Sequence, residues 1–126
     1  MKKTLHFICL FLILFIGQVN YVKADTTIAS GTIANSEISW ELTSADGTQN
    51  NLKLSLTGTG DIPNFGQSSM PWYNYRSEIT SASIASGITS IGQLTFYKTN
   101  ITSIDIPSTC TKIVNFELMP FCGIHL

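Results

Sequence analysis

The chain has 126 residues, of which 44% are hydrophobic and 12% are charged, and this length suits one small domain. Lys and Arg number 7 and Asp and Glu number 8, but three of the lysines precede every acidic residue. Beyond residue 24, four cations and eight acids remain, which gives a net charge of -4. A protein with so few cations lacks the basic patch that nucleic-acid binding requires, so that function class is excluded.

Residues 1–24 have the pattern of a secretory signal peptide, with two lysines, an apolar run, and a small residue, Ala24, at the cleavage position. The densely apolar part, residues 7–17, is too short to cross roughly 30 Å of hydrocarbon as a membrane anchor. We therefore expect cleavage after Ala24 and secretion of residues 25–126, with no membrane attachment afterwards. Those residues include 14 serines and 14 threonines, a composition that suits extracellular β-rich proteins.

Two cysteines, Cys110 and Cys122, remain after this cleavage. In an oxidising compartment they are able to form a disulfide, and the alternative is a pair of buried thiols. The 22-residue repeat described below aligns Cys110 with Ile88, an apolar position, which favours buried thiols. The only histidine after residue 24 is His125, so a zinc site is not supported and we expect no metal.

Apolar and polar residues alternate over residues 38–43 and again over residues 52–57. This period of two predicts two strands, each with one buried face, and Trp40 is the expected anchor of the first. The polar segment between them contains Asp46 and Gly47, a pair that favours positive φ angles. We therefore expect the two strands to form a β-hairpin.

The stretch after the hairpin is rich in turn-forming and aromatic residues. Gly58 and Gly60 predict a turn. Trp72, Tyr73 and Tyr75 come next, and because large aromatic side chains are more often buried than displayed, we favour a hydrophobic cap. The alternative is a secreted carbohydrate-binding module in which aromatic rings stack on sugars, from Trp40, Trp72 and Tyr75.

Residues 79–100 and 101–122 repeat each other at an offset of 22. Seven aligned positions are identical, far more than chance gives: Ile79/Ile101, Thr80/Thr102, Ser81/Ser103, Ile84/Ile106, Ser86/Ser108, Thr89/Thr111 and Ile91/Ile113. Apolar positions preserved at such a period are typical of a solenoid, in which each turn is buried by its neighbours. Within each repeat we expect a short strand, over residues 79–84 and 101–106, and in the first repeat a tight return around residues 91–96.

Two segments of these repeats, residues 87–96 (GITSIGQLTF) and 101–107 (ITSIDIP), resemble leucine-rich repeats of the BspA type. Repeats of this type are found in many secreted and cell-surface proteins. Upstream, residues 40–42 (WEL), 54–60 (LSLTGTG) and 71–73 (PWY) resemble the region that often precedes such repeats.

The resemblance implies a mainly β fold, with an N-terminal β-hairpin cap region over residues 25–78. It further implies a short leucine-rich-repeat solenoid of about two 22-residue repeats over residues 79–126. The resemblance also implies a non-enzymatic recognition or adhesion module with a protein or cell-surface partner. On that basis the solvent-facing strand residues carry the contact, namely Thr80, Ser81, Ser83, Thr102, Ser103 and Asp105.

The second repeat departs from the pattern, because Val114 replaces a glycine, Leu118 replaces a phenylalanine, and Pro120 interrupts the segment after them. Residues 119–126 are apolar where the cap of a solenoid is normally polar. We expect the chain to be the N-terminal piece of a longer array, or a truncated remnant with no independent activity. The apolar C-terminal end also predicts self-association.

The sequence lacks the combinations of residues that form a known type of enzyme active site. A serine or cysteine nucleophile normally needs a histidine partner, and His125 lies one residue from the end of the chain, where backbones fray. Glu37 and Glu41 flank Trp40 on the outward face of its strand, so we interpret them as solvated residues rather than as a glycosidase pair. We expect no enzyme activity and no cofactor.

Overall fold

The structure, a computed structural model, describes residues 23–114. Most of the predicted signal peptide lies outside the described residues. The same holds for Cys122, His125 and the apolar C-terminal segment 119–126. Within the described range, no helix is both long and apolar enough to cross a membrane.

The chain begins with three strands that pair in order, β1 (Thr26–Thr32), β2 (Glu37–Ser44) and β3 (Leu52–Asp61). Both pairings are antiparallel, and Trp40 of β2 lies opposite Leu56 of β3. The predicted hairpin is therefore confirmed. Strand β1 adds a third strand on the other side of β2.

A short 3₁₀ helix, Tyr73–Glu78, leads from this unit into four further strands. These are β4 (Ile79–Ile84), β5 (Ile88–Ile91), β6 (Ser103–Asp105) and β7 (Lys112–Ile113). The main path of the open sheet runs β1-β2-β3-β4-β6, and β5 pairs with β3 and β7. Every pairing after β3 is parallel, as expected when each coil of a solenoid stacks on the one before it.

The strand registers confirm the repeat. Ala82 of β4 lies opposite Ile104 of β6, and Ile91 of β5 lies opposite Ile113 of β7, so both pairs are 22 residues apart. Between these strands, residues 93–98 form turns, as the predicted tight return requires. The sequence period is therefore the length of one coil.

Strand β3 belongs to the hairpin and to the solenoid at once. Leu54 pairs with β2 on one side, and on the other it lies opposite Ala82 in the parallel pairing with β4. Farther along β3, Gly60 lies opposite Ile88 of β5. Residues 52–78 therefore form a first coil that is longer than the repeats after it.

Glycines inside β3 form the corner of this first coil. Gly58 and Gly60 were predicted to form a turn, which is wrong, because both lie within the strand, with φ angles of 116° and 100°. They come after Leu56, the last residue of β3 that pairs with β4. A side chain at Gly58 would collide with the backbone carbonyl of Glu37, so this corner requires a residue without a β-carbon.

The apolar side chains pack into one cluster that extends from the hairpin to β6. Its most completely buried apolar members, each at most 2% exposed, are Ile38, Leu42, Leu52, Leu54, Leu56, Ile62, Trp72, Ile79, Ile88 and Ile91. Full burial of a Leu or Ile side chain contributes about 1.5–3 kcal/mol, so this cluster is the main source of stability. Within residues 23–114, every buried side-chain nitrogen or oxygen has a hydrogen-bond partner.

Candidate recognition surface

The residues predicted to contact a partner lie on β4, on β6 and immediately before β6. On β4 the set Thr80, Ser81 and Ser83 is half-buried, whereas Thr102, Ser103 and Asp105 at β6 are exposed. The two sets differ in exposure because β4 lies between β3 and β6, while β6 ends the main sheet path of the described residues. The structure therefore brings the predicted residues together, and those at β6 are the most accessible.

The strand registers extend this surface across the five strands of the main sheet path. One row of side chains runs over five strands and consists of Ser30, Glu41, Ser55, Ser83 and Asp105. Within this row, the hydroxyl oxygens of Ser83 and Ser55 form a hydrogen bond of 3.3 Å. Neighbouring rows include Thr32, Ser39 and Thr57 on one side, and Thr43, Lys53, Ser81 and Ser103 on the other. We call these side chains the outer face.

The opposite side of the sheet holds the aromatic cluster. Trp72 is fully buried and Trp40 is 9% exposed, with their ring centroids 6.1 Å apart in an edge-on arrangement. Phe65 contacts Trp72 in the same manner at 5.5 Å. A buried indole presents no face to a sugar, so neither tryptophan is available for stacking on a glycan. The aromatic side chains fill the first coil.

Tyr73 and Tyr75 are half-buried beside this cluster. The guanidinium of Arg76 lies over the ring of Tyr73, 3.9 Å from its centroid, and donates a hydrogen bond of 2.7 Å to the Tyr73 carbonyl oxygen. This face of the Tyr73 ring is therefore occupied by a cation–π contact. Among Trp40, Trp72, Tyr73 and Tyr75, only Tyr75 is half-buried and free of a cation–π contact within the described residues.

Cys110 is half-buried and packs against the core. Burial raises the pKa of its thiol, and the thiol contacts the Lys112 carbonyl oxygen at 3.9 Å. Because Cys122 lies outside the described residues, the choice between a disulfide and two buried thiols stays a prediction. Among residues 23–114, the side chains of Cys, His, Asp and Glu form no group of three or more that could hold a metal ion.

Asp46 has a structural role beyond the loop position that the sequence predicts for it. Its Oδ1 accepts hydrogen bonds from the Thr48 hydroxyl at 2.7 Å, the Thr48 backbone N–H at 2.8 Å and the Ser44 hydroxyl at 2.8 Å. These bonds, with the Thr48 hydroxyl foremost, lower the pKa of Asp46 to about 2. The carboxylate holds the loop between β2 and β3 and satisfies the hydroxyl of Ser44, which is buried.

A solved structure is similar to this chain, the crystal structure of a leucine-rich repeat protein from Eubacterium ventriosum ATCC 27560. The two are 30% identical, the match covers 81% of this chain, and the TM-score is 0.57. The two proteins share the leucine-rich-repeat fold. The chain spans about a quarter of that protein's length, since the match covers 27% of it. No family model and no curated protein matches the chain.

This similarity and the strand registers confirm the expected fold class, a mainly β chain with an open sheet that continues into a leucine-rich-repeat solenoid. The BspA type within that class stays a prediction. Sequence reasoning did not find the part of the outer face that lies on β1 to β3. The alternation over residues 38–43 and 52–57 already indicated which side chains point outward, but only the pairing of β3 with β4 joins them to the repeats.

Proposed function

We propose that this chain is a non-enzymatic recognition module, secreted or displayed at a cell surface, that binds a protein partner through its outer face. One observation carries the proposal, namely the alignment of polar side chains across five strands of one open sheet. A surface of fixed, regularly spaced hydroxyl and carboxylate groups suits recognition, because the rigid sheet sets the spacing of the groups before the partner arrives. The similar protein from Eubacterium ventriosum is itself a repeat protein.

The number and length of the strands under the outer face support a protein partner. A standard interface buries about 800 Å² on each partner, and two short repeat strands provide far less than that. With β1, β2 and β3 added, the outer face spans three strands of 7, 8 and 10 residues besides β4 and β6. A partner that contacts the repeats is therefore also able to contact the hairpin.

Export is the second part of the proposal. It rests on the pattern of residues 1–24 and on the hydroxyl-rich, charge-poor composition of the rest. Expression of the full chain in a secreting bacterial host tests this part. We expect protein in the culture medium whose N-terminal sequence begins at Asp25. Protein that stays in the cells with Met1 retained would contradict export.

Binding is tested with the secreted product on a panel of purified extracellular-matrix proteins, measured by surface plasmon resonance. The test variant is Ser103→Arg, which places a long charged side chain at an exposed position of β6 on the outer face. The control is Gln67→Arg, the same added charge at an exposed loop residue outside the sheet. Both positions are exposed, so both variants are expected to keep the fold.

We expect at least one matrix protein to bind, with S103R weakening that binding by about tenfold or more, since a misplaced charge in an interface costs several kcal/mol. Q67R should leave the affinity within about twofold, because its side chain lies outside the sheet. Equal losses in the two variants would contradict a contact through the outer face. No binding by any protein of the panel would contradict a matrix-adhesion role.

A further inference from the structure

A hollow of about 430 Å³ lies on the outer face over β1, β2 and β3. It is lined by Ser30, Gly31, Thr32, Ser39, Trp40, Glu41, Ser55 and Thr57. The registers explain this arrangement, because Ser30, Glu41 and Ser55 form one row across the three strands and Thr32, Ser39 and Thr57 form the next. The hollow therefore belongs to the hairpin unit and not to the repeats.

Glu41 is the one charged residue among those that line the hollow. Its side chain is half-buried, and its Oε1 accepts a hydrogen bond of 2.6 Å from the Thr27 hydroxyl. A hydrogen bond from a neutral hydroxyl fixes the position of the carboxylate without cancelling its charge. An ionised carboxylate accepts about four hydrogen bonds, so the bond from Thr27 leaves most of this capacity for a ligand.

Five hydroxyl side chains line the hollow together with Glu41, those of Ser30, Thr32, Ser39, Ser55 and Thr57. A hydroxyl oxygen accepts hydrogen bonds as well as donating one. A lysine ammonium carries three N–H donors and an arginine guanidinium carries five, and neither has an acceptor. A cationic head group thus finds here one charged acceptor and several neutral acceptors, while it brings no acceptor of its own that needs a donor.

We propose that this hollow binds a basic side chain, Lys or Arg, of the protein partner, a conclusion that rests on the recognition function proposed above. Charge complementarity favours this occupant, because the chain beyond residue 24 carries a net charge of -4 and Glu37 and Asp105 also lie exposed on the sheet. Lys53 is the one cation among the side chains of the outer face, and it lies in the row next to Glu41 and does not line the hollow. A sugar is less suited to the hollow. Trp40 is its only aromatic lining residue, and that side chain is 9% exposed and points into the core.

The experiment is an NMR titration of ¹⁵N-labelled secreted protein with two probes, trilysine and triarginine amides acetylated at the N-terminus. A triglutamate peptide and maltotriose serve as the acidic and the glycan comparison. The test variant is Glu41→Gln, which keeps the size of the side chain and removes the charge. The matched control is Glu37→Gln, which removes the same charge from an exposed position on the same strand that does not line the hollow.

We expect both basic peptides to shift the amide signals of residues 30–32, 39–41 and 55–57 in a saturable manner. E41Q should weaken this binding by about tenfold, the change expected when a hydrogen-bonded charge is lost, and E37Q should change it by less than about twofold. Equal weakening in E41Q and E37Q would overturn the proposal, since it indicates nonspecific attraction to a negative surface. Shifts produced by maltotriose and not by the basic peptides would replace it with a glycan site.

The two proposals fail separately. Loss of matrix binding in S103R tests the outer face as a whole, whereas the peptide titration reads the hollow alone and needs no natural partner. If the basic peptides bind at the hollow but no matrix protein binds, the adhesion role is wrong and the cation site stands. If a matrix protein binds and E41Q leaves both its affinity and the peptide shifts unchanged, the cation site is wrong and recognition stands.

Discussion

The indole Nε1 of Trp72 donates a hydrogen bond of 3.1 Å to the carbonyl oxygen of Thr95. Trp72 belongs to the first coil, residues 52–78, and Thr95 belongs to the next, residues 79–100. Both residues are buried, with exposed fractions of 0% for Trp72 and 2% for Thr95. The Trp72 side chain thus fills the core of the first coil and pairs with a backbone carbonyl of the second coil. This hydrogen bond connects the first coil to the repeats.

Trp72→Phe removes the donor and keeps an aromatic ring, and it leaves a smaller cavity than alanine does. We expect W72F to lower the free energy of unfolding by about 1–3 kcal/mol, mainly the cost of an unpaired buried acceptor. Trp72→Ala should lower it by about 3–5 kcal/mol, since it opens a larger cavity. Urea unfolding followed by circular dichroism measures both. The control Tyr97→Phe alters a half-buried ring and should stay within about 0.5 kcal/mol of the parent. A W72F protein as stable as Y97F would contradict the role of the bond.

Gly92 lies at a close approach between the backbones of two coils. A β-carbon at this buried position would overlap the backbone carbonyl oxygens of Ile62 and Pro63 in the first coil. We expect Gly92→Ala to destabilise the protein by about 1–3 kcal/mol or more, because backbone atoms cannot move aside as a side chain can. Thermal unfolding provides the measurement. Gly66→Ala is the matched control, since its β-carbon meets only the Ser69 side chain at ordinary contact distance. Similar melting temperatures for the two variants would contradict this account of coil spacing.

Where local pattern and tertiary structure agree, the sequence was sufficient to predict the element. The alternation over residues 38–43 and 52–57 marks the core of β2 and β3, because one face of each strand is buried. The offset of 22 residues equals the β4–β6 and β5–β7 registers, because identical coil lengths allow equivalent residues to stack. Each of these signals repeats along the chain, so it survives substitutions at single positions.

Three features were not predictable in this way. Strand β1 has a bulge between Thr27 and Ala29, which breaks the alternation, and most of its residues are exposed. The first coil is offset from the next by 28 residues rather than 22, so it does not align with the repeats. The hollow at Glu41 requires side chains from three strands, and its shape depends on β1. These features exist only after distant segments pair.

The hydrogen bonds to Asp46 predict a dependence of stability on pH. The pKa of Asp46 is about 2 in the folded protein, below the ordinary value of 3.8 expected in the unfolded chain. The ionised form therefore stabilises the fold above about pH 4. This contribution is lost as the pH falls from about 4 to about 2. The contribution is absent in Asp46→Asn, whose neutral amide is a weaker acceptor. The difference in the free energy of unfolding between the parent and D46N should therefore close over that range.

Urea unfolding at pH 7, 4, 3 and 2 measures this gap. Asp105→Asn is the control for loss of an exposed charge at β6, and a gap for D46N that stays constant with pH would contradict the prediction.

Equivalent residues of the two repeats should contribute different amounts to the free energy of unfolding. Ile91 of β5 is 2% exposed because β3 and β7 lie on either side of its strand, whereas Ile113 of β7 is half-buried. We expect Ile91→Ala to lower the free energy of unfolding by about 2–5 kcal/mol and Ile113→Ala to lower it by less than half as much. The two substitutions delete the same atoms at the same position of the repeat, so each is the control for the other in one set of urea unfolding curves. Equal losses would mean that the two side chains are equally covered in solution. That result would contradict the difference in burial between these two side chains within residues 23–114.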